Sequence, residues 1–175
     1  MFLEHLALYG KRVKELKEKI RLEAKNGEDM KLLQSTAGVG PVAAYAYTAY
    51  AGDGIRFSKG AQVSNYIGFA PRPDYSGTIQ RQGRITKRGN GYLRGLLIQA
   101  AWAMVLSRSG GALKERFICL TKEQGKSRKK TIVSISRRLT ELMYSVLRSK
   151  TKYEARPWNG PKNDPRGLAE QAVSA

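Results

Sequence analysis

Basic side chains surround three hydroxyls in the middle of the chain, Ser76, Thr78 and Thr86. The stretch from 72 to 94 contains one acid, Asp74, and six basic residues: Arg72, Arg81, Arg84, Lys87, Arg88 and Arg94. Arginine grips phosphate oxygens through paired hydrogen bonds. Arginines around a hydroxyl could therefore stabilise the extra negative charge that forms when the hydroxyl attacks a phosphodiester. Ser76 is the natural nucleophile candidate.

The same residues have a simpler interpretation. In the segment from Asp74 to Gly77, the aspartate and the serine could bond to the local backbone while the glycine supplies a positive φ, which is typical of a turn. A serine without a neighbouring base is also a poor nucleophile. Residue types alone favour the turn.

A second basic cluster consists of Lys126, Arg128, Lys129, Lys130, Arg137 and Arg138. A charge run is commonly just the solvated face of a helix. Here no acid interrupts the run between Lys126 and Arg138, so phosphate contact explains the cluster better, and each contact should steepen the salt dependence of binding.

The segment Gly38, Val39, Gly40 and Pro41 predicts a tight turn between two helices, because the glycines permit the turn and Pro41 suits the first position of a helix. The pattern indicates a helix-hairpin-helix whose free N–H groups would bind a DNA phosphate. A plain helix connection is the alternative. The basic composition favours the DNA-contacting hairpin.

The first 27 residues carry a heptad pattern. Its apolar positions are Phe2, Leu6, Tyr9, Val13, Leu16 and Ile20. This spacing is typical of a coiled coil and would make the chain a homo-oligomer. Because the seam is shorter than three heptads, an amphipathic helix packed on the domain's own core is an equal alternative.

The rest of the chain predicts a mainly α domain over residues 30–153. We expect helices from Phe57 to Ile67 with Ser58 as N-cap, from Asn90 as N-cap to about Ser109, near Ala112 to Glu123, and near Ser127 to Ser149. Residues 68–89 lack helical periodicity and predict a long basic loop or short hairpin. Residues 154–175 predict a disordered tail. The predicted fold is therefore a helix-hairpin-helix-containing helical domain with an N-terminal coiled-coil-like helix and a long basic loop.

The composition indicates which classes of partner the chain binds. Lys and Arg number 32 against 14 Asp and Glu, a net charge of +18 that predicts a nucleic-acid partner. No apolar run approaches the roughly 20 residues of a spanning helix, so we expect no membrane. Cys119 and His5 are the only cysteine and histidine, which excludes a disulfide framework or zinc cluster within one chain. Cys119 should be a buried apolar group.

These segments, in this order, resemble the bridge-RNA-guided "one-ten" insertion-sequence transposases and the related Piv-type DNA invertases. The resemblance spans about Leu32 to Tyr153. Its residues are the segments 36–41, 57–58, 66–72 and 76–77, the run Gly83 to Asn90, Leu93, Arg94 and the closing basic helix. The run from Gly83 followed by Leu93 and Arg94 is its most distinctive part.

The resemblance implies a transposase domain in which Ser76 attacks DNA and forms a covalent phosphoserine link, and it thereby favours the nucleophile over the turn. It also implies a ribonuclease-H-like domain with acidic metal ligands, which would supply Mg²⁺, and a guide RNA as a further partner. We expect a cytoplasmic protein of a prokaryotic cell, associated with the nucleoid when bound to DNA.

The sequence departs from the family pattern in its acidic residues. The 14 carboxylates include no recognisable metal constellation and no acidic, strand-rich half precedes Phe2, so we expect the chain alone to bind DNA without efficient recombination. A basic, non-catalytic DNA- or RNA-binding module is the alternative function. A DNA glycosylase fits poorly, because Val42 stands where those enzymes place a lysine after the hairpin glycines.

Overall fold

The computed structural model describes residues 1–52, 55–76, 79–155 and 157–158, with the backbone alone at 73–76 and 79–82. Seven α-helices and one antiparallel hairpin follow one another along these residues. They are α1 (Phe2–Asn26), α2 (Glu28–Gln34), α3 (Pro41–Ala51), α4 (Gly60–Ile67), β1 (Pro71–Ser76), β2 (Ile79–Ile85), α5 (Gly91–Leu106), α6 (Gly111–Ile118) and α7 (Arg128–Ser149). A π-helical turn, Cys119–Glu123, extends α6. The predicted mainly α fold is confirmed.

Helix α5 lies at the centre of the core. Its residues Leu93, Leu97, Ala101 and Met104 are fully buried, and α3, α4, α6 and α7 all pack against it. Asn90 caps its start as predicted, since the side-chain oxygen accepts a hydrogen bond from the Leu93 N–H at 3.0 Å. A helix that is apolar on most sides is stable only when enclosed in this way.

Helix α7 supplies the other long wall of the core. Ile135, Leu139 and Met143 are fully buried on one face. The Tyr47 hydroxyl of α3 donates to the Thr140 carbonyl at 2.9 Å, and burial raises the pKa of Tyr47. This buried hydrogen bond ties α3 to the middle of α7.

Residues 68–89 contain a β-hairpin, so the predicted long basic loop is wrong and the hairpin alternative is confirmed. The Cα partners run from Pro71 opposite Ile85 to Ser76 opposite Ile79, with a register irregularity between Pro71 and Pro73. Prolines lack an N–H for a ladder and are tolerated here because this two-stranded sheet consists of edge strands. Gly77 and Thr78, between the strands, lie outside the described residues.

The base of the hairpin is fixed by two backbone segments that nearly touch. Gly68 ends α4 with φ +91°, and a Cβ on it would lie 1.9 Å from the Arg88 carbonyl oxygen. The Thr86 N–H donates to Ala70 O at 2.8 Å, and the Lys87 N–H donates to Gly68 O at 3.3 Å. Only glycine allows this approach, so the point at which the hairpin leaves the helical core is set by Gly68.

The turn between α2 and α3 is pressed against α5. Gly38 has φ +81°, and a Cβ there would lie 2.4 Å from Ala100 O and 2.5 Å from Met104 N. Val39 is buried beside it, whereas Gly40 is exposed with open space around its Cα. Pro41 occupies the first turn of α3, as the sequence predicts.

Helix α1 contacts the rest of the domain only near its C-terminal end. Ala24 is buried and Ile20 is half-buried, and α1 packs against α2 and α3. The earlier seam positions, from Phe2 (78% exposed) to Leu16 (58% exposed), are open to solvent. The heptad seam therefore does not lie on the domain's own core over most of its length.

Two predicted boundaries differ in the structure. Lys59 rather than Ser58 is the N-cap residue of α4. The Ser58 N–H and hydroxyl instead both donate to the Gln62 side-chain oxygen, at 3.0 Å and 3.1 Å. At the other end, the Trp158 N–H donates to the Glu115 carboxylate at 2.7 Å, so the described start of the predicted tail contacts α6. Residues 156 and 159–175 lie outside the described residues.

Among the described residues, no single helix is long and apolar enough to cross a membrane. The helix pair Gly91–Leu106 and Gly111–Glu123, which is bent by 85°, has the length and composition of a broken membrane span, and only length and composition indicate one.

Replacing Gly38 with alanine should destabilise the fold by more than about 2 kcal/mol, because the new Cβ would meet the α5 backbone and the positive φ would be strained. Gly40→Ala is the matched control, since open space surrounds Gly40. Urea unfolding of both variants measures the difference. Equal stability of the two variants would show that the turn does not approach α5 this closely.

Candidate nucleic-acid interface

A basic groove of about 390 Å³ opens where the turn meets α1 and α5. Lys17 and Arg21 of α1 line one side, and Gly40 and Pro41 at the start of α3 line another. The α3 N-terminus has no side-chain cap, so its first N–H groups and the positive end of the helix dipole remain available to an anion. A phosphate would meet backbone donors, Lys17 and Arg21 in this groove, although Arg21 also pairs with Glu18 at 2.5 Å.

The three predicted contact residues of the turn have different surroundings. Gly38 and Val39 face the core, and the Val39 N–H already donates to Thr36 O at 3.1 Å. Gly40 is the exposed member. Backbone contact with a ligand is therefore open at Gly40 and at the amides that follow Pro41, whereas Gly38 and Val39 hold the turn in place.

Four of the predicted basic residues in the middle of the chain are exposed around the hairpin: Arg72, Arg84, Lys87 and Arg88. Lys87 is held in a left-handed conformation with φ 55°, which is uncommon for a residue with a side chain. These cations project from the junction between the hairpin and the helical core. Arg81 has Asp74 as its Cα partner in the hairpin, and its side chain lies outside what is described.

Arg94 has an intramolecular partner. Its guanidinium donates to the Ile67 carbonyl at 2.9 Å and lies beside Gly68, at the point where α4 ends. The hydrogen bond satisfies a helix C-terminal carbonyl and places a cation at the negative end of the helix dipole. Within this structure Arg94 positions the hairpin base.

Ser76 is the last residue of β1, and its Cα partner is Ile79 at the start of β2. It therefore lies at the end of the hairpin away from the helical core. The Ser76 side chain and the neighbouring Gly77 and Thr78 lie outside what the structure describes. Its role as nucleophile stays a prediction.

The N-terminal end of α7 carries the second exposed cluster. Lys126, Arg128, Lys129 and Lys130 are exposed, and α7 begins without a side-chain cap or an acid in its first turn. Cations at a helix N-terminus oppose the helix dipole and repel one another. A bound polyanion would remove both penalties. The Arg128 guanidinium also lies 5.9 Å from the centre of the Trp102 ring, which joins this cluster to α5.

Arg137 and Arg138, predicted with that cluster, pair instead with Glu141. Their nitrogens lie 3.4 Å and 3.7 Å from the Glu141 carboxylate, and all three side chains are largely buried. The acid comes one helical turn after the arginines, just beyond the acid-free run from Lys126 to Arg138. The i, i+4 spacing of Arg137 and Glu141 was the signal that could have revealed the pair.

Sequence reasoning missed three cations that the structure places at the groove or beside aromatic rings. Lys17 and Arg21, four residues apart on α1, face the groove. Arg56 lies over two aromatic rings. Helical spacing could have placed Lys17 and Arg21 on one face, but nothing in the sequence indicated that this face meets the turn.

The structure also shows the surroundings of the potential metal ligands and of the cysteine. Among the described residues, no group of three or more His, Cys, Asp or Glu side chains could hold a metal ion. The predicted burial of Cys119 is confirmed. Its hydrogen bond to Glu123, together with burial, raises the pKa of the Cys119 thiol, which suppresses the reactive thiolate.

The sequence profile of the transposase IS116/IS110/IS902 family matches residues 30–117. The chain belongs to this family. The match runs from α2 through the turn, the hairpin and α5 into α6, so it contains the groove's turn and the hairpin arginines. Helix α1 and the cluster at the start of α7 lie outside it.

Individual relatives agree with the family. A probable family 20 transposase of Pseudomonas aeruginosa is 38% identical over 94 residues, which are 54% of this chain and 28% of that protein. The transposase for insertion sequence element IS1111A of Coxiella burnetii is 40% identical over 88 residues, or 50% and 24%. The pilin gene-inverting protein of Moraxella lacunata is 29% identical over 126 residues, or 71% and 38%. The chain thus spans well under half the length of these relatives.

Proposed function

We propose that this chain is the DNA-binding part of an insertion-sequence transposase and that it carries the nucleophile of DNA strand exchange. The observation that carries the proposal is a set of exposed cations at the base of the hairpin whose first strand ends at Ser76: Arg72, Arg84, Lys87 and Arg88. All of them lie inside the region matched to the family. Arginine and lysine at such positions bind phosphate without reading sequence. Relatives named as transposases and as a pilin gene-inverting protein support a role in recombination.

Two further cationic surfaces would extend the contact. The groove at the start of α3 offers backbone N–H groups with Lys17 and Arg21, and the start of α7 offers four cations beginning at Lys126. Both surfaces adjoin α5, through the groove wall and through Trp102 respectively. A duplex carries a phosphate charge every ~1.7 Å along its axis, so separated cationic surfaces on one rigid core suit a DNA backbone.

The proposed chemistry is a transesterification at Ser76. The serine Oγ would form a bond to phosphorus, the bond from phosphorus to the departing DNA oxygen would break, and the serine proton would leave to a base while the departing oxygen gains one. Arg81, the hairpin arginine nearest to Ser76 along the paired strands, would stabilise the negative charge on the phosphoryl oxygens.

The described residues do not fit a metal centre. We therefore assign Mg²⁺ to the ribonuclease-H-like domain that the family resemblance implies, and no step is derived through it. A guide RNA is a second proposed partner. Phosphate contacts suit RNA as well as DNA, so the exposed cations would also bind a guide RNA.

We also propose that α1 mediates self-association. From Phe2 to Leu16 its apolar seam is exposed, and such a surface is expected to be covered by a partner. A second copy of the same helix fits because the seam repeats with heptad spacing, which complements itself in a coiled coil.

Affinity for duplex DNA should fall steeply as salt rises, because each phosphate contact releases a counterion. Lys129→Ala should weaken binding and reduce the slope of log affinity against log salt by about 0.9, the value for one contact. Arg148→Ala is the matched control on the same helix. It removes the same charge from an exposed residue at the opposite end of α7 and should leave the slope unchanged. A flat salt response would contradict phosphate contact as the basis of binding.

Ser76→Ala should abolish strand exchange and the covalent protein–DNA adduct in a reconstituted full-length enzyme, while folding and DNA affinity stay nearly unchanged. The adduct is trapped by denaturation and measured on a denaturing gel. Thr78→Ala is the control for a shifted alignment. Adduct formation by Ser76→Ala but not by Thr78→Ala would move the nucleophile to Thr78, and adduct formation by both would place it outside the hairpin.

Leu16→Lys should shift the chain toward monomer in sedimentation, because a charge would enter the apolar seam. Lys14→Glu changes a residue between the seam positions and serves as control. If the unmodified chain sediments as a monomer at high concentration, α1 does not pair with itself.

A further inference from the structure

A cation and two aromatic rings form an exposed cluster beside α4. The Arg56 guanidinium carbon lies 4.8 Å from the centre of the Phe57 ring and 4.6 Å from that of the Tyr66 ring. The two ring centres are 5.5 Å apart, and the two ring planes are inclined by 50°. Tyr66 remains 45% exposed and Arg56 is exposed, so part of this aromatic surface is open to solvent.

The cluster is anchored to the rigid core at both ends. The Phe57 carbonyl accepts a hydrogen bond from the Tyr144 hydroxyl of α7 at 2.7 Å. Tyr66 is in the last turn of α4, and its own carbonyl oxygen would lie only 2.1 Å from a Cβ on Gly89. A ring that starts from a fixed backbone and packs on Phe57 and Arg56 loses little conformational freedom when a ligand stacks on it.

The chemistry of the cluster fits one kind of ligand. A partly exposed ring with a guanidinium lying over it suits a flat π-system attached to a negative charge, and an unpaired nucleotide combines both. A base inside a duplex already has its faces covered by neighbouring bases, so it could not stack here. The cluster would therefore select strands with unpaired bases.

Its position in the fold relates it to the proposed reaction. Three residues separate Tyr66 from Ala70, which leads directly into β1, and the six residues of β1 end at Ser76. At the rise of a β-strand this length is roughly 17 Å, the span of a few nucleotides. The backbone carbonyl of Arg88 lies against Gly68 at the hairpin base, and the Arg88 side chain is exposed.

We propose that Tyr66 and Arg56 stack an unpaired base of the DNA strand whose phosphate reaches the hairpin. This inference rests on the proposed DNA-binding function. It adds a binding site that distinguishes unpaired from paired DNA, which the phosphate contacts cannot do. Phe57 stabilises the cluster through its contacts with Arg56 and Tyr66.

The test compares affinities of the full chain for two DNA duplexes of equal length, one fully paired and one with a central stretch of unpaired thymines. The unmodified chain should prefer the unpaired stretch. Tyr66→Leu should reduce that preference roughly 5- to 100-fold, the effect of losing one stacked base, and leave affinity for the paired duplex within about 2-fold. Tyr66→Phe retains the ring and should keep the preference.

Arg56→Gln provides a second variant that leaves both rings in place, and it should lower the preference less than Tyr66→Leu. Thermal unfolding of each variant reports its folding. Equal affinity of the unmodified chain for the two duplexes would overturn the inference, and so would an unchanged preference in Tyr66→Leu. Stronger binding of an RNA strand of the same sequence would overturn the assignment to DNA. Failure to bind the paired duplex at all would instead contradict the proposed function.

Discussion

The close packing of other segments on α5 is the constraint on which the rest of the structure depends. The turn before α3 can face outward at Gly40 only because Gly38 lets its backbone come within contact distance of Ala100 and Met104. The hairpin leaves the core in a defined direction because Arg94, from the first turns of α5, binds the carbonyl at the end of α4. One buried helix thereby positions both the groove and the hairpin.

Electrostatics explains why the cations lie where they do. A chain with a net charge of +18 repels itself, and the repulsion is smallest when cations are dispersed over the surface. The exposed clusters nevertheless concentrate charge at the hairpin base and at the start of α7, where the helix dipole is also unfavourable. Such placement opposes stability in the free protein, and a bound polyanion would reverse the sign of the effect. Arg137 and Arg138, in contrast, each pair with Glu141, which is the arrangement that stabilises the folded protein.

Local patterns in the sequence predicted what depends on local physics. The end of α1 at Asn26, the proline at the start of α3 and the Asn90 cap follow from backbone preferences within a few residues. The hairpin was harder to predict, because two prolines in β1 obscure the strand pattern. The roles of Arg94 and of the Lys17 and Arg21 pair could not be predicted, since their partners are distant in sequence and only the tertiary fold brings them together.

The central claim is that DNA contacts the exposed cations at the hairpin base and at the start of α7. The most direct measurement is the acetylation rate of each lysine in the free chain and in a complex with duplex DNA, read by mass spectrometry. The account predicts slower modification of Lys87, Lys129 and Lys130 in the complex, with no change at Lys11 on the exposed first half of α1. Equal protection of all four lysines, or protection of Lys11 alone, would contradict it.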